Sequence, residues 1–194
     1  APDHFNGFFY DLMPPYCIGM AAEAVGDFGT PAGKLSVATD LAHGCARHLM
    51  QSGVDIAVSY RMRVDHGFSN PLFDLFGALD RVPVIPIFIN SVAPPLPTSA
   101  RVRALGRHVG EWATETGRRV LVIGSGGLSH EPPVPTIAGA APEVVERLID
   151  GRNPSDAAKA GRFERLMVAA RQLTAESDQV KPLNPTWDRQ FLDL

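Results

Sequence analysis

An α/β fold, with a central mostly parallel or mixed sheet flanked by helices, is the class this sequence predicts. Two patterns carry the prediction. Short β-branched runs alternate along the chain with segments whose apolar residues recur at helical spacing, and several of those segments begin beside a capping residue or end on glycine. Length is the third observation: 194 residues can enclose a substantial core and favour one domain, residues 1–194, over two.

The elements follow in order. Residues 36–53, SVATDLAHGCARHLMQSG, place Leu41, Cys45 and Leu49 four apart and stop at Gly53, which predicts a helix over 36–52. DIAVSYRM, from Asp55, alternates as a strand does. NPLFDLFGALD, from Asn70, offers Asn as N-cap and Pro71 in the first turn, with Leu72, Leu75, Phe76 and Leu79 on one face. VPVIPIFIN (82–90) reads as a buried strand whose ladder is restricted by Pro83 and Pro86. A long amphipathic helix is expected over 98–116, ended by Gly117. RRVLVIGSGGLSH is then expected to be a buried strand running into a glycine loop, with further helices at 142–150 and 154–177. The proline-rich stretches 94–97 and 132–135 read as ordered loops.

Composition narrows the function classes. A formal charge of −3 and a pI of about 6.1 argue against nucleic acid or an anionic membrane as partner. No apolar run reaches the ~18–20 residues a bilayer span needs. Two cysteines, Cys17 and Cys45, make neither a disulfide framework nor a cysteine zinc site, and a reduced cytoplasmic setting is the default expectation. The chain opens without Met or a leader and stops on WDRQFLDL, so both ends are read as cut from a longer protein.

Six histidines sort by context. His43, His48 and His108 fall in helical segments and are expected to be surface or half-buried fillers; the His43–His48 spacing misses the i,i+4 arrangement of a helical zinc motif. His4, His66 and His130 fall in loops near strand ends, where open α/β sheets bind ligands. GSGGLS lacks the phosphate-loop pattern and a neighbouring lysine, and no nucleophile elbow occurs, so nucleotide and serine-hydrolase chemistry are set aside. Imidazole as metal ligand and proton carrier remains. Asp3, Asp11, Asp27 and Glu131 show no spacing that singles one out as a ligand.

PDHFNGFFYDLMPP, VDHGFSNPL, PVIPIFIN, RVLVIGSGGLSHEPPVP and LNPTWDRQFL, in this order, resemble the class III extradiol ring-cleavage dioxygenases, the LigB-like superfamily. The resemblance covers essentially the whole chain and implies a LigB-like fold, incomplete here at both termini. It implies Fe(II) held by two histidines and a glutamate, a catechol bearing a carboxyalkyl chain as substrate, 3-(2,3-dihydroxyphenyl)propionate by the FNGFFYDLMPP and GGLSHEPPVP segments, and insertion of both atoms of O2. By motif, His4 corresponds to an iron ligand, His130 to the base and His66 to the acid. The other iron histidine would lie upstream of His4 and the glutamate downstream of WDRQF, so the 194 residues alone are expected to be iron-free and inactive, with an exposed sheet edge. Arg61, Arg63 and Arg101 are unranked candidates for the substrate carboxylate. The resemblance also implies a homo-oligomer. Two alternatives stand beside it: a metal-free binding protein on the same scaffold, and a metal-assisted hydrolase using the same histidines.

Overall fold

The computed structural model describes residues 7–129, 136–152, 154–172 and 183–193. Its centre is strand β1 (Tyr16–Gly19), buried along its whole length. Tyr16, Ile18 and Met20 point one way, into a cluster with Ala42, Cys45, Leu49 and Leu105, while Cys17 faces the other cluster with Met62, Leu72 and Phe88. Alternation of side chains across a strand thus lets one short element serve two cores.

Chain order continues with β2 (Ala22–Val25), a 3-10 turn at Asp27–Gly29, β3 (Ala32–Lys34), α1 (Thr39–Gln51), β4 (Ala57–Ser59), β5 (Met62–Val64), α2 (His66–Phe76), β6 (Ile87–Ile89), α3 (Ser99–Glu115), α4 (Pro142–Asp150), α5 (Asp156–Gln172) and α6 (Pro185–Leu192). Among the described residues the strands form two mixed three-stranded sheets, in the orders β4-β1-β6 and β3-β2-β5, where the sequence predicts one central sheet. β1 runs parallel to β4 and antiparallel to β6; β2 runs parallel to β5 and antiparallel to β3. Helices α1 and α3 pack together over one face of β1, and α2 packs on β2 and β5. No helix among the described residues is long and apolar enough to cross a membrane.

Several expectations are met closely. The long helix spans Ser99–Glu115, with the Thr98 side chain accepting from the Arg101 amide, and the 142–150 helix is found with Pro142 at its start. Others need correction. The expected strand from Asp55 divides at Tyr60–Arg61 into β4 and β5, which belong to different sheets. In 82–90 the ladder is confined to Ile87–Ile89 plus one bridge from Val84 to Val37, because Pro83 and Pro86 have no amide hydrogen to donate. The helix assigned to begin at Asn70 begins at His66. Asp65 out-competes Asn70 as cap: its carboxylate accepts from Gly67 N at 2.9 Å, and its carbonyl accepts from Phe68 and Ser69. Pro71 therefore sits inside α2.

The largest correction concerns RRVLVIG. Val120, Leu121 and Val122 are 51%, 69% and 73% exposed and form no strand. A β-branched run becomes a strand by pairing its backbone, and no described residue pairs with this one.

Candidate active site

The parallel register of β2 and β5 builds the site. Ala24 lies opposite Val64, so the two strands leave the sheet at the same end, β2 into the Asp27 turn and β5 into Asp65 and His66. His66 is accordingly the first residue of a helix rather than a loop residue. Its Nδ1 lies 2.6 Å from Asp27 Oδ2, a bond across 39 residues of chain between side chains only 21% and 14% exposed. A carboxylate accepts and does not donate, so Nδ1 carries the hydrogen.

The turn that presents Asp27 is unusual. Gly26 (φ 72) and Gly29 (φ 77) occupy the left-handed region, and so does Phe28 (φ 49) between them. A Cβ on Gly26 would also meet the Ala32 side chain at 2.8 Å, so glycine is required there on two counts. Left-handed backbone at a phenylalanine costs on the order of 1–3 kcal/mol. The Phe28 ring meets the His66 ring edge-on at 4.9 Å and lies 6.0 Å from Phe163 of α5. Thr30 closes the turn, its amide and hydroxyl both donating to the Asp27 carbonyl.

Asp65, buried beside this pair, is driven to a pKa of about 6, first by burial and then by the neighbouring Asp27 charge, against the opposing effect of His66. The native state then binds this proton more tightly than the unfolded chain, so stability from this group falls as pH rises from about 4 through about 6. Asp65→Asn keeps an acceptor for Gly67 N while removing the charge. We expect it to stabilise the full-length protein by on the order of 2 kcal/mol at pH 7.5 and by much less at pH 4.5, measured by urea denaturation. An equal gain at both pH values would refute burial of the charge as the cause.

His4 and His130 lie outside the described residues. Their flanks, however, are placed. Gly7 lies so close to β5 that a Cβ would stand 2.1 Å from the Arg63 carbonyl oxygen, and Phe8 stacks on Phe88 at 3.9 Å. The chain three residues beyond His4 is thereby docked three residues before His66. Further on, Tyr10 and Asp11 donate backbone bonds to Leu148 and Ile149, and Arg152 grips Asp11 through two 2.7 Å contacts that lower the Asp11 pKa. Asp11 is thus tied up in docking α4. Beside His130, Ser129 donates from its amide (2.6 Å) and hydroxyl (2.8 Å) to the Asp188 carboxylate of α6, and Asn184 N donates to the same hydroxyl. The WDRQF segment anchors the end of the glycine loop.

The helix-borne histidines also have partners. His43 Nε2 lies 3.0 Å from the Tyr60 hydroxyl. His48 and His108 are brought together by the packing of α1 on α3, with ligand atoms of His48, His108 and Glu111 all within 4.8 Å of one another. The sequence carried no signal for this cluster, because His48 and His108 meet only across two helices. It is separate from the Asp27–His66 site, and the Arg107 guanidinium, 3.2 Å from His108 Nε2, opposes a second cation there. Its carboxylates are engaged as well: His108 Nδ1 lies 2.7 Å from Glu111 and His48 Nδ1 lies 3.4 Å from Glu115. The buried thiols of Cys17 and Cys45 are pushed up to about 12 and about 11, which leaves them unreactive. Of the arginine candidates, Arg101 lies 3.9 Å from Asp55 at the start of α3, whereas Arg63 stands on β5, next to the Gly7 contact.

Of the three iron ligands that the resemblance implies, the sequence offers a candidate for one, His4, which lies outside the described residues.

The chain is similar to known proteins along its whole length. A 2,3-dihydroxyphenylpropionate/2,3-dihydroxicinnamic acid 1,2-dioxygenase of Cupriavidus pinatubonensis is 58% identical over 194 residues, covering 100% of this chain and 62% of that protein. A protein of the same description from Paraburkholderia xenovorans is 58% identical, with 61% of its length covered, and one from Pseudomonas putida is 54% identical over 195 residues, with 62% covered. The chain thus spans about 62% of the length of the curated relatives it matches. The family model described as the catalytic LigB subunit of aromatic ring-opening dioxygenase matches residues 1–194, and the chain belongs to that family.

Proposed function

We propose that the protein of which this chain is part is an Fe(II)-dependent extradiol dioxygenase. It opens the ring of 3-(2,3-dihydroxyphenyl)propionate, or a catechol with a similar carboxyalkyl chain, and incorporates both atoms of O2. Residues 1–194 form part of one catalytic domain, and His4 holds the iron together with ligands from the rest of the protein. The observation that carries the proposal is an imidazole, His66, held by the half-buried Asp27 carboxylate in a chain matched along its whole length by relatives named for this chemistry.

Bound Fe(II) would supply one centre at which catechol and O2 meet. The protein's own part is proton movement. His130 takes a proton from a catechol hydroxyl as the substrate binds. His66, as the imidazolium, gives its Nε2 proton as the ring opens, while Nδ1–H stays on Asp27. The Phe28 ring, edge-on to His66, gives the imidazole an apolar neighbour on one side. A second subunit of the same kind and a cytoplasmic setting belong to the same proposal.

The test is direct. The full-length protein, loaded anaerobically with Fe(II) and given dihydroxyphenylpropionate and O2, should form the yellow ring-opened product with one O2 consumed per catechol. Oxygen uptake no faster than a blank would end the proposal.

A further inference from the structure

We infer that Asp27 is a positioning residue for His66 in the ring-opening reaction. It keeps a hydrogen on Nδ1 and orients the ring so that proton exchange with the catechol runs through Nε2, which gives its proton from the imidazolium and is left as an acceptor. The inference deepens the proposed function and rests on it.

The case begins with the geometry of the pair. The 2.6 Å contact is at the short end for a nitrogen–oxygen hydrogen bond, and both side chains are largely covered. In such surroundings a carboxylate on one ring nitrogen decides which tautomer the other nitrogen presents. Both partners are rigidly mounted. His66 is fixed at the head of α2 by the Asp65 cap, and Asp27 by a turn closed through Thr30.

The arrangement is also costly, in ways a purely structural contact would avoid. Phe28 is held in the left-handed region in order to present Asp27 on one side and its own ring to His66 on the other. The Asp27 charge acts on the buried Asp65 carboxyl and pushes its pKa upward, so two acidic groups share a confined space. A backbone carbonyl or an amide side chain could have anchored the ring without that repulsion. Only a carboxylate both fixes the tautomer and stabilises the imidazolium when the ring is protonated, and a proton-transfer histidine requires both.

The experiment uses the full-length, Fe(II)-loaded protein. Asp27→Asn should lower kcat for dihydroxyphenylpropionate by about 10- to 100-fold with iron content unchanged and KM altered less than about threefold. Asp27→Glu, which restores the charge one methylene further out, should recover part of the loss. Long-range 1H–15N NMR of the iron-free parent should show the His66 ring protonated on Nδ1, and Asp27→Asn should shift it toward the Nε2–H form. Parental kcat in Asp27→Asn overturns the inference while leaving the dioxygenase proposal intact. So does a ring in the unmodified protein with its hydrogen on Nε2 and none on Nδ1, a measurement that holds even if a variant fails to fold. A parent that does not cleave the catechol overturns the proposed function itself.

Discussion

Replacing His66 with glutamine in the full-length protein should lower kcat for dihydroxyphenylpropionate by about 10²- to 10⁴-fold, the range a positioned general acid contributes. Iron content should stay at the parental level. Under the proposed assignment His66, at the head of α2 with Nδ1 on Asp27, carries a proton, and its replacement leaves the metal ligands in place. Glutamine retains a donor of similar reach but cannot carry a proton through the reaction. α2 should persist, because its cap is Asp65 and not His66. A glutamine variant with parental turnover, or one that loses its iron, would remove His66 from the acid role.

The opposite pattern is expected for His4. His4→Ala should reduce iron affinity by at least about 100-fold, since even residues that merely support a metal ligand are worth 10- to 100-fold. Activity should fall with iron content and return in part when excess Fe(II) is supplied. The backbone beyond position 4 should remain docked, because Gly7 against the Arg63 carbonyl and Phe8 on Phe88 fix it independently of the metal. Iron measured by a colorimetric chelator after gel filtration decides the matter: full iron content in the variant would show that His4 is not a ligand. Together the two variants separate proton transfer from metal binding, one losing turnover with iron present and the other losing the iron.

Much of the fold was legible because it is local. α3 could be bounded to within a residue from its apolar spacing, the Thr98 cap and Gly117, and α4 from Pro142 and its periodicity. These signals act within one turn of helix, where the responsible residues are sequence neighbours. At α2 two local signals competed. Asn70–Pro71 was the plainer one on paper, but the buried Asp65, set at the end of β5 by strand pairing, had the advantage of position. RRVLVIG failed for the same kind of reason in reverse, since its composition suits a strand but pairing is a property of its neighbours.

His66 could be singled out from its VDHGFSNPL context, whereas Asp27 could not. GDFG carries no spacing relation to VDHG, and the 39 residues between them hide a contact made by the parallel pairing of β2 with β5. The His48–His108 encounter across α1 and α3 was equally invisible. By itself, then, the sequence determined most of the helices, the bounds of α3 and α4, the α/β class, and the segments by which the LigB family is recognised. Tertiary structure alone decided which side chains meet. Periodicity and caps are set by interactions a few residues long, while a histidine acquires its carboxylate partner only when two strands are brought into register.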